Sequence, residues 1–164
     1  MPEGDRQVGT DVLTTEQRAR CMANIRGRDT RPELLIRRGL FARGWRYRLH
    51  GPGLPGRPDL VFPARRSVIF VHGCFWHMHN CPLFRMPSTR RDFWEAKLLG
   101  NRQRDSAAMM ALQNAGWRVL VIWECALKGL HKHPLDQVLS LCDNWLRNPE
   151  EVTAEIRGLY QTEL

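Results

Sequence analysis

The fold is decided by residues 67–81, whose sequence is SVIFVHGCFWHMHNC. Its first part, Ser67 to Val71, is an apolar run rich in β-branched and aromatic side chains, which predicts a buried strand. The ten residues 72–81 contain three of the six histidines, two of the five cysteines and two adjacent large aromatic residues. Imidazole and thiolate are the ligands that zinc prefers, so this loop is the first candidate functional region.

Length and composition fit one globular domain. The chain has 164 residues, of which 43% are hydrophobic and 26% are charged, as in an ordinary protein with its own core. No apolar run approaches the roughly 20 residues of a membrane span, and the first residues lack the apolar core of a signal peptide. We therefore expect a cytoplasmic protein, in which clustered cysteines and histidines indicate metal binding.

The charge balance favours a nucleic-acid partner. The formal net charge is +8, with 25 lysines and arginines against 17 acidic residues. Arginine predominates among the basic residues, and its planar guanidinium matches phosphate oxygens and guanine edges. Charge alone is weak evidence, since many basic proteins bind no nucleic acid.

Working outward from the loop, we expect a flexible N-terminal arm over residues 1–13, the main globular domain over 14–148 and a C-terminal tail or helix over 149–164. A short helix is predicted to begin at Thr14 to Gln17. The sequence Thr30-Arg-Pro-Glu33 has the form of a capping box with proline in the first turn.

The capping box predicts a helix over about 31–43, with Leu34, Leu35 and Gly39 or Leu40 facing inward. A final helix is predicted over about 134–147, with inward residues that form one apolar set: Leu135, Val138, Leu139, Leu141 and Cys142.

The central elements predict an α/β fold with a mixed sheet flanked by helices. Strands at 60–62 and 67–71 are joined by a tight turn, which favours an antiparallel hairpin. The strand 67–71, a long helix at about 91–115 and the apolar strand 117–123 form a βαβ unit with parallel strands.

The cysteines and histidines predict a closed, structural zinc site. Cys74, His79 and Cys81 have the spacing C-x4-H-x-C, and Cys125 follows the second parallel strand at the same edge of the sheet. The spacing alone does not decide whether His77 or His79 is the ligand. The alternative is that Cys74 and Cys125 are small core residues and that the histidines are polar loop residues.

The segment before the loop resembles the beginning of the PD-(D/E)xK nuclease core. Pro58-Asp59 precedes a strand, a turn and a second strand, but the second strand has Val71 and His72 where that core has an acid and a lysine. Mg²⁺ can be held by one carboxylate, a backbone oxygen and substrate phosphate, so Asp59 and the Val71 carbonyl are candidate ligands. The alternative for Asp59 is a turn cap.

The neighbouring residues could supply the remaining chemistry. His77 could take a proton from an attacking water, because histidine titrates near physiological pH. His72 could polarise or protonate around the phosphate, and Glu33 could reach the water shell of the metal. Glu33 has a competing role as the acid of the capping box.

The adjacent aromatic residues Phe75 and Trp76 are candidates for contact with DNA bases. Apolar side chains can enter a stack of bases at a cost of about a few kcal/mol, which is smallest where the stack is already weak. Core packing is the alternative for any single aromatic residue, but two successive residues cannot both point into one core.

The chain resembles the very-short-patch repair endonuclease family over about residues 15–128. The residues that carry the resemblance are Met22, Asp29-Thr30, Glu33, Leu54-Pro-Gly-Arg-Pro-Asp59, Val68-Ile-Phe, His72-Gly-Cys-Phe-Trp-His77, Cys81, Leu83-Phe84, Thr89-Arg90, Phe93-Trp94, Asn101, Arg104-Asp105, Gly116-Trp-Arg-Val-Leu and Trp123-Glu-Cys125.

The resemblance implies a single restriction-endonuclease-like domain with a zinc-braced loop. It implies an enzyme that nicks one strand of double-stranded DNA 5′ of the thymine in a T·G mismatch left by deamination of 5-methylcytosine. A single active site fits nicking by a monomer, and we expect a cytoplasmic, nucleoid-associated protein. It also suggests a mismatch-repair matchmaker protein as a partner.

The resemblance further implies roles for individual residues. Asp59, with the Val71 carbonyl, would bind Mg²⁺, His77 would be the general base, His72 would assist and Glu33 would lie in the outer shell. The implied zinc ligands are Cys74, His79, Cys81 and Cys125. The implied intercalating residues are Phe75, Trp76 and Trp94, with Met22 entering from the opposite groove; core packing is the alternative for Trp94.

Three rival interpretations remain at this point. The chain could be a nuclease of the same family with another mismatch or sequence target, a zinc-stabilised DNA-binding module without catalysis, or a purely structural protein rich in cysteine and histidine. The combination of Asp59, His72 and His77 argues against the module, and the arginine excess argues against a purely structural protein. The flanking sequence and the accompanying methyltransferase are not encoded in any motif.

Overall fold

The structure of the protein, a computed structural model, describes residues 14, 16, 17, 19, 20 and 27–160. The chain forms two compact units, Met1–Thr30 and Arg31–Leu164. In the first unit, Thr14 N–H donates to Gln17 Oε1 at 2.9 Å, and Gln17 N–H donates to Thr14 Oγ1 at 3.2 Å. These reciprocal hydrogen bonds begin a helical turn where a helix start was predicted. The predicted arm at 1–13 and Met22 lie outside the described residues.

The second unit is built on a five-stranded mixed sheet with the spatial order β1-β2-β3-β4-β5. The first three strands pair antiparallel, and β3, β4 and β5 pair parallel. The strands are β1 (Arg48–Leu49), β2 (Leu60–Phe62), β3 (Ser67–His72), β4 (Arg118–Trp123) and β5 (Thr153–Ile156).

Three helices cover the two faces of this sheet: α1 (Arg31–Ala42), α2 (Arg91–Asn114) and α3 (Leu135–Arg147). Helix α2 connects β3 to the parallel strand β4, as the predicted βαβ unit requires. The predicted α/β fold with a mixed sheet is therefore confirmed. Among the described helices, none has both the length and the apolar character to cross a membrane.

The core consists of two clusters, one on each face of the sheet. On one face, Ile36 and Leu40 of α1 pack with Val138 and Trp145 of α3 against Leu120. On the other face, Leu112 of α2 packs against side chains of β3 and β4. Both β3 and β4 are buried along their full length, which explains their continuous apolar sequences.

The inward face of α1 differs from the predicted one. Ile36 and Leu40 are fully buried, together with Glu33 and Arg37, whereas Leu34 and Leu35 are only half-buried. The positions 33, 36, 37 and 40 form one helical stripe, and its two charged members form an ion pair at 2.9 Å. The prediction that Leu34 and Leu35 face inward was wrong, because the inward face of the helix contains charged as well as apolar residues.

Helix α3 also departs in part from prediction. Val138, Leu139 and Cys142 are buried as expected, but Leu135 and Leu141 are 37% and 40% exposed. Leu135 is the first residue of the helix, and Leu141 lies outside the stripe formed by the buried residues. Neither side chain therefore packs on the sheet.

The predicted C-terminal tail or helix is a strand instead. Strand β5 pairs parallel with β4, with Val119 opposite Thr153 and Ile122 opposite Ile156. A buried β4 would otherwise leave a row of backbone groups unpaired, and the last part of the chain pairs with them. Only Ile156 of this strand is buried, so its sequence has almost no apolar alternation.

Candidate active site and metal centre

The candidate site lies where β3 and β4 end side by side. His72 and Trp123 are opposite each other in the parallel register, so the loop after β3 and the 3-10 turn Glu124–Ala126 leave the same edge of the sheet. Within the loop, His79 N–H donates to the Cys74 carbonyl at 3.0 Å. Met78 has a φ of 47°, in the left-handed region. It separates His77 from His79, which join different clusters.

The first cluster contains Cys74, His79, Cys81 and Cys125, whose donor atoms all lie within 4.8 Å of one another. His79 Nδ1 is 3.6 Å from Cys74 Sγ and 3.5 Å from Cys125 Sγ. The His79 ring stacks on Trp123 with centroids 4.0 Å apart, so the end of β4 orients the imidazole.

The electrostatics of this cluster fit a bound cation. A hydrogen bond from Cys74 lowers the pKa of Cys125, and the same pairing, with burial, raises the pKa of Cys74. Burial also raises the pKa of Cys81. Crowded sulfurs cannot all ionise unless a positive ion is present, and three sulfurs with one imidazole nitrogen form a closed tetrahedral donor set. The cluster could therefore hold a metal ion.

The second cluster contains His72, His77 and Asp105, whose donor atoms also lie within 4.8 Å of one another. The His72 and His77 rings stack with centroids 3.8 Å apart and planes 3° apart. His77 Nδ1 makes a hydrogen bond with Asp105 Oδ2 from α2. An aspartate on Nδ1 places the proton there and leaves Nε2 as the basic nitrogen, an arrangement that suits a general base.

His72 is buried, and its Nδ1 has no hydrogen-bond partner within the part of the chain that the structure describes. Burial, and then the neighbouring His77, lower the pKa of His72 to about 3. The ring is therefore neutral at physiological pH, and it retains one unused polar atom. A cavity of about 390 Å³ beside the two histidines is also lined by two arginines and two acids, namely Arg102, Arg157, Asp105 and Glu155.

Asp59 lies at the start of β2 and joins neither cluster. Its Oδ2 accepts a hydrogen bond from Val71 N–H at 2.6 Å, so the carboxyl group is fixed against β3. Burial, and to a smaller extent the Glu33 carboxylate, raise the pKa of Asp59 to about 7, while the Val71 hydrogen bond and Arg37 oppose this shift. Excess negative charge in a buried place is a condition that favours a divalent cation.

The aromatic residues form a half-buried surface group beside His77. Phe75 lies 5.1 Å from Trp76 and 5.5 Å from Trp94 between ring centroids, in edge-to-face contact. The Lys97 ammonium lies 5.6 Å from the rings of both tryptophans. The three rings therefore share one surface instead of entering the core.

The structure thus separates the predicted residues into groups. The four thiol and imidazole donors lie together, His72 and His77 lie together, and Asp59 is near Glu33 but outside both described clusters. Sequence reasoning gave no role to Asp105, which is 28 residues from His77 and comes from a helix. The only signal for it was its presence among the residues that carry the family resemblance.

Comparison with known proteins identifies the family. Residues 10–83 match the family described as DNA mismatch endonuclease Vsr. The chain is 49% identical over 121 residues to type II nicking enzyme V.XorIIP of Xanthomonas oryzae pv. oryzae, covering 74% of this chain and 89% of the relative.

Two further relatives agree with this result. DNA mismatch endonuclease Vsr of Escherichia coli is 42% identical over 136 residues, covering 83% of this chain and 87% of the relative. Type II nicking enzyme V.NaeI of Lentzea aerocolonigenes is 40% identical over 132 residues, covering 77% and 75% respectively. The chain therefore belongs to the Vsr family of DNA endonucleases.

Proposed function

We propose that this protein is a Mg²⁺-dependent enzyme that nicks one strand of duplex DNA 5′ of the thymine in a T·G mismatch. Such mismatches arise when 5-methylcytosine is deaminated, and the reaction would begin very short patch repair. The observation that carries the proposal is the His77–Asp105 pair, which lies next to a surface group of aromatic rings. Related proteins named as a mismatch endonuclease and as nicking enzymes support the same activity.

His77 would be the general base. Asp105 holds Nδ1, so the lone pair of Nε2 can accept a proton from water as the water oxygen bonds to phosphorus and a P–O bond of the strand breaks, leaving its electron pair on the departing oxygen. The Asp105 carboxylate would also stabilise the imidazolium that results. Stacking on His72 fixes the ring plane, so that little reorganisation is needed when the proton moves.

His72 would act on the phosphate as a neutral hydrogen-bonding group. Its low pKa keeps the ring uncharged, and its buried Nδ1 lacks a partner among the described residues. The His72 ring also lines the cavity beside His77, and a phosphate oxygen in that cavity would contact the ring there. His72 would therefore bind and orient the phosphate, while His77 takes the proton from water.

Asp59 and the Val71 carbonyl would hold Mg²⁺, with Glu33 near its water shell. The raised pKa of Asp59 and the adjacent Glu33 charge support a cation at this place. When bound, Mg²⁺ supplies positive charge that stabilises the developing charge of the phosphodiester. The hydrogen bond that Asp59 accepts from Val71 N–H would orient its carboxylate, and Val71 directly precedes His72 in the chain.

The first cluster would hold structural Zn²⁺ on Cys74, His79, Cys81 and Cys125, since a donor set of one nitrogen and three sulfurs leaves no open position. Its function would be to brace the loop that carries His77 and the aromatic residues. The same cysteine and histidine contacts join the loop to the segment after β4.

Phe75, Trp76 and Trp94 would enter the base stack at the mismatch, where unstacking costs least. We assign Met22 to the opposite groove on the basis of the family resemblance. We also propose that the enzyme acts as a monomer, since one His77–Asp105 pair suits one nick, and that a mismatch-repair matchmaker is its protein partner.

The test compares wild type with Asp59→Asn and His77→Ala on a T·G duplex in Mg²⁺. Wild type is expected to nick, whereas both variants should bind the duplex and cut at least about 100-fold more slowly. If both variants nick as fast as wild type, the proposed chemistry is wrong. If wild type binds the T·G duplex in Mg²⁺ but does not cut it, the protein is a zinc-stabilised DNA-binding module.

A further inference from the structure

The segment that follows β5 contacts the thiol cluster directly. Strand β5 ends at Ile156 beside Ile122 of β4, and Cys125 follows β4 by two residues. The residues after β5 therefore reach the thiol cluster. We refer to residues 157–160 as the C-terminal clasp.

Backbone contacts fix the clasp in place. His133 Nε2–H donates to the Arg157 carbonyl at 2.8 Å, and Leu159 N–H donates to the His131 carbonyl at 2.6 Å. Gly158 N–H donates to Cys125 Sγ at 3.4 Å. A Cβ at Gly158 would lie 2.7 Å from the Cys125 carbonyl oxygen and 3.0 Å from that of His131, so only glycine permits this close approach.

The clasp places the hydroxyl of Tyr160 between two of the candidate ligands. Tyr160 Oη is 3.6 Å from Cys125 Sγ and 3.4 Å from His79 Nε2. His79 Nδ1 is the nitrogen that faces the sulfurs. A metal on Nδ1 leaves the proton on Nε2, where it needs an acceptor, and a thiolate on the metal needs a donor. One tyrosine hydroxyl can do both.

We propose that Tyr160 is a positioning residue of the metal centre: its hydroxyl accepts a hydrogen bond from His79 Nε2–H and donates one to Cys125 Sγ. This chain of hydrogen bonds fixes the tautomer and the ring orientation of His79 and stabilises the Cys125 thiolate. The inference rests on the zinc site proposed above, and it makes the segment after β5 part of that site.

The decisive variant is Tyr160→Phe in the full-length protein, with Tyr47→Phe as its control. Tyr47 donates to the Arg37 carbonyl at 2.8 Å and packs on the opposite face of the sheet from Tyr160 and the cysteines. The two variants therefore remove the same atom from different places. Zinc affinity is measured by competition with a chromophoric chelator, and the rate of zinc release is measured by transfer to excess chelator.

Tyr160→Phe is expected to weaken zinc binding about 10- to 100-fold and to speed release, while Tyr47→Phe binds zinc like wild type. In the cobalt-loaded protein, the thiolate-to-cobalt absorption band should move to longer wavelength in Tyr160→Phe, because the sulfur loses a hydrogen bond. The matched Tyr47→Phe variant should leave the band at its wild-type wavelength.

Wild-type affinity together with an unshifted cobalt band in Tyr160→Phe would overturn the inference and leave the zinc site intact. A wild-type protein that binds no zinc would instead overturn the zinc site itself. The two failures are therefore distinguishable by the metal content of the wild type.

Discussion

At the level of single residues, the proposed chemistry depends on which nitrogen of His77 is basic. Asp105 makes its hydrogen bond to Nδ1, and the parallel His72 ring covers one face of the imidazole. Tautomer and orientation are thus set by two different elements, β3 and α2. The remaining nitrogen, Nε2, is the atom through which His77 can act.

Replacing Asp105 by asparagine tests this role of the carboxylate. An amide keeps the size of the side chain but removes the charge and can reverse the tautomer, so we expect single-turnover nicking to fall about 10²- to 10⁴-fold. Mismatch affinity should change little, because Asp105 faces His77 and not the aromatic surface. The control is Asp92→Asn, an exposed carboxylate in the first turn of the same helix. Equal rates for Asp105→Asn and wild type would contradict the assignment.

Asp59 predicts a dependence of stability on pH. Its pKa in the folded protein is raised to about 7 from an ordinary value of 3.8, so the folded state binds more protons than the unfolded state between these limits. Its contribution to stability therefore falls as the pH rises through this window. Without added Mg²⁺, Asp59→Asn should be more stable than wild type at pH 8 by up to about 4 kcal/mol, with little advantage at pH 4.

Urea titrations of both proteins at the two pH values measure this difference. If the variant is no more stable than wild type at pH 8, the buried charge of Asp59 does not destabilise the folded state.

Sequence reasoning at this scale reached the residues of the loop but not their partner. Histidines and cysteines that lie within ten residues of one another can be recognised as a candidate metal or catalytic site, because the pattern is local in the sequence. Asp105 lies on α2 among many exposed polar residues, and only the folded crossover brings it to His77. Glu33 and Arg37 show the same limit, since a buried ion pair on a helix has no apolar signature.

At the level of elements, one buried arginine joins three parts of the second unit. Arg118 begins β4 and donates to Ser67 Oγ of β3 at 3.1 Å, to the Trp145 carbonyl in the last turn of α3 at 2.6 Å and to the Glu151 carbonyl at 3.1 Å. Its guanidinium also lies 4.3 Å from the Trp145 ring centroid. A positive charge at the carboxyl end of a helix satisfies carbonyls that have no partner within the helix.

Arg118→Met should therefore lower the free energy of unfolding by about 3 kcal/mol, because several buried acceptors lose their donor. Arg147→Met is the matched control. Arg147 is exposed, and within the described residues its one ion pair is with Asp143 of the same helix. Its effect should be much smaller. Chemical denaturation of the two variants measures the difference, and equal losses would contradict the structural role of Arg118.

The elements that were predictable are those with long, uniform sequences. The apolar runs of β3 and β4 and the long segment between them determine a parallel pair with a helical crossover. Strand β5 was missed because it has four residues and one buried side chain. Its position depends on the open edge of β4, which is a property of the assembled sheet and not of residues 153–156.

At the level of the whole molecule, the proposed activity requires three features together: a basic chain, a catalytic pair and an aromatic surface. The net charge of +8 favours the DNA backbone without regard to sequence. The aromatic rings beside His77 would add preference for a weakly stacked site. Discrimination should then appear in the cutting of mismatched DNA more than in binding to DNA generally.

The most direct measurement is nicking of duplexes that differ only in a T·G or T·A pair at one position. Each strand is end-labelled in turn, the flanks include several candidate methylation sites, and reactions are run with and without added Mg²⁺. We predict one nick, in the thymine strand just 5′ of the mismatched T, that requires Mg²⁺ and is absent from the T·A duplex. Equal cutting of both duplexes, or equal binding of both with no cutting, would contradict the account.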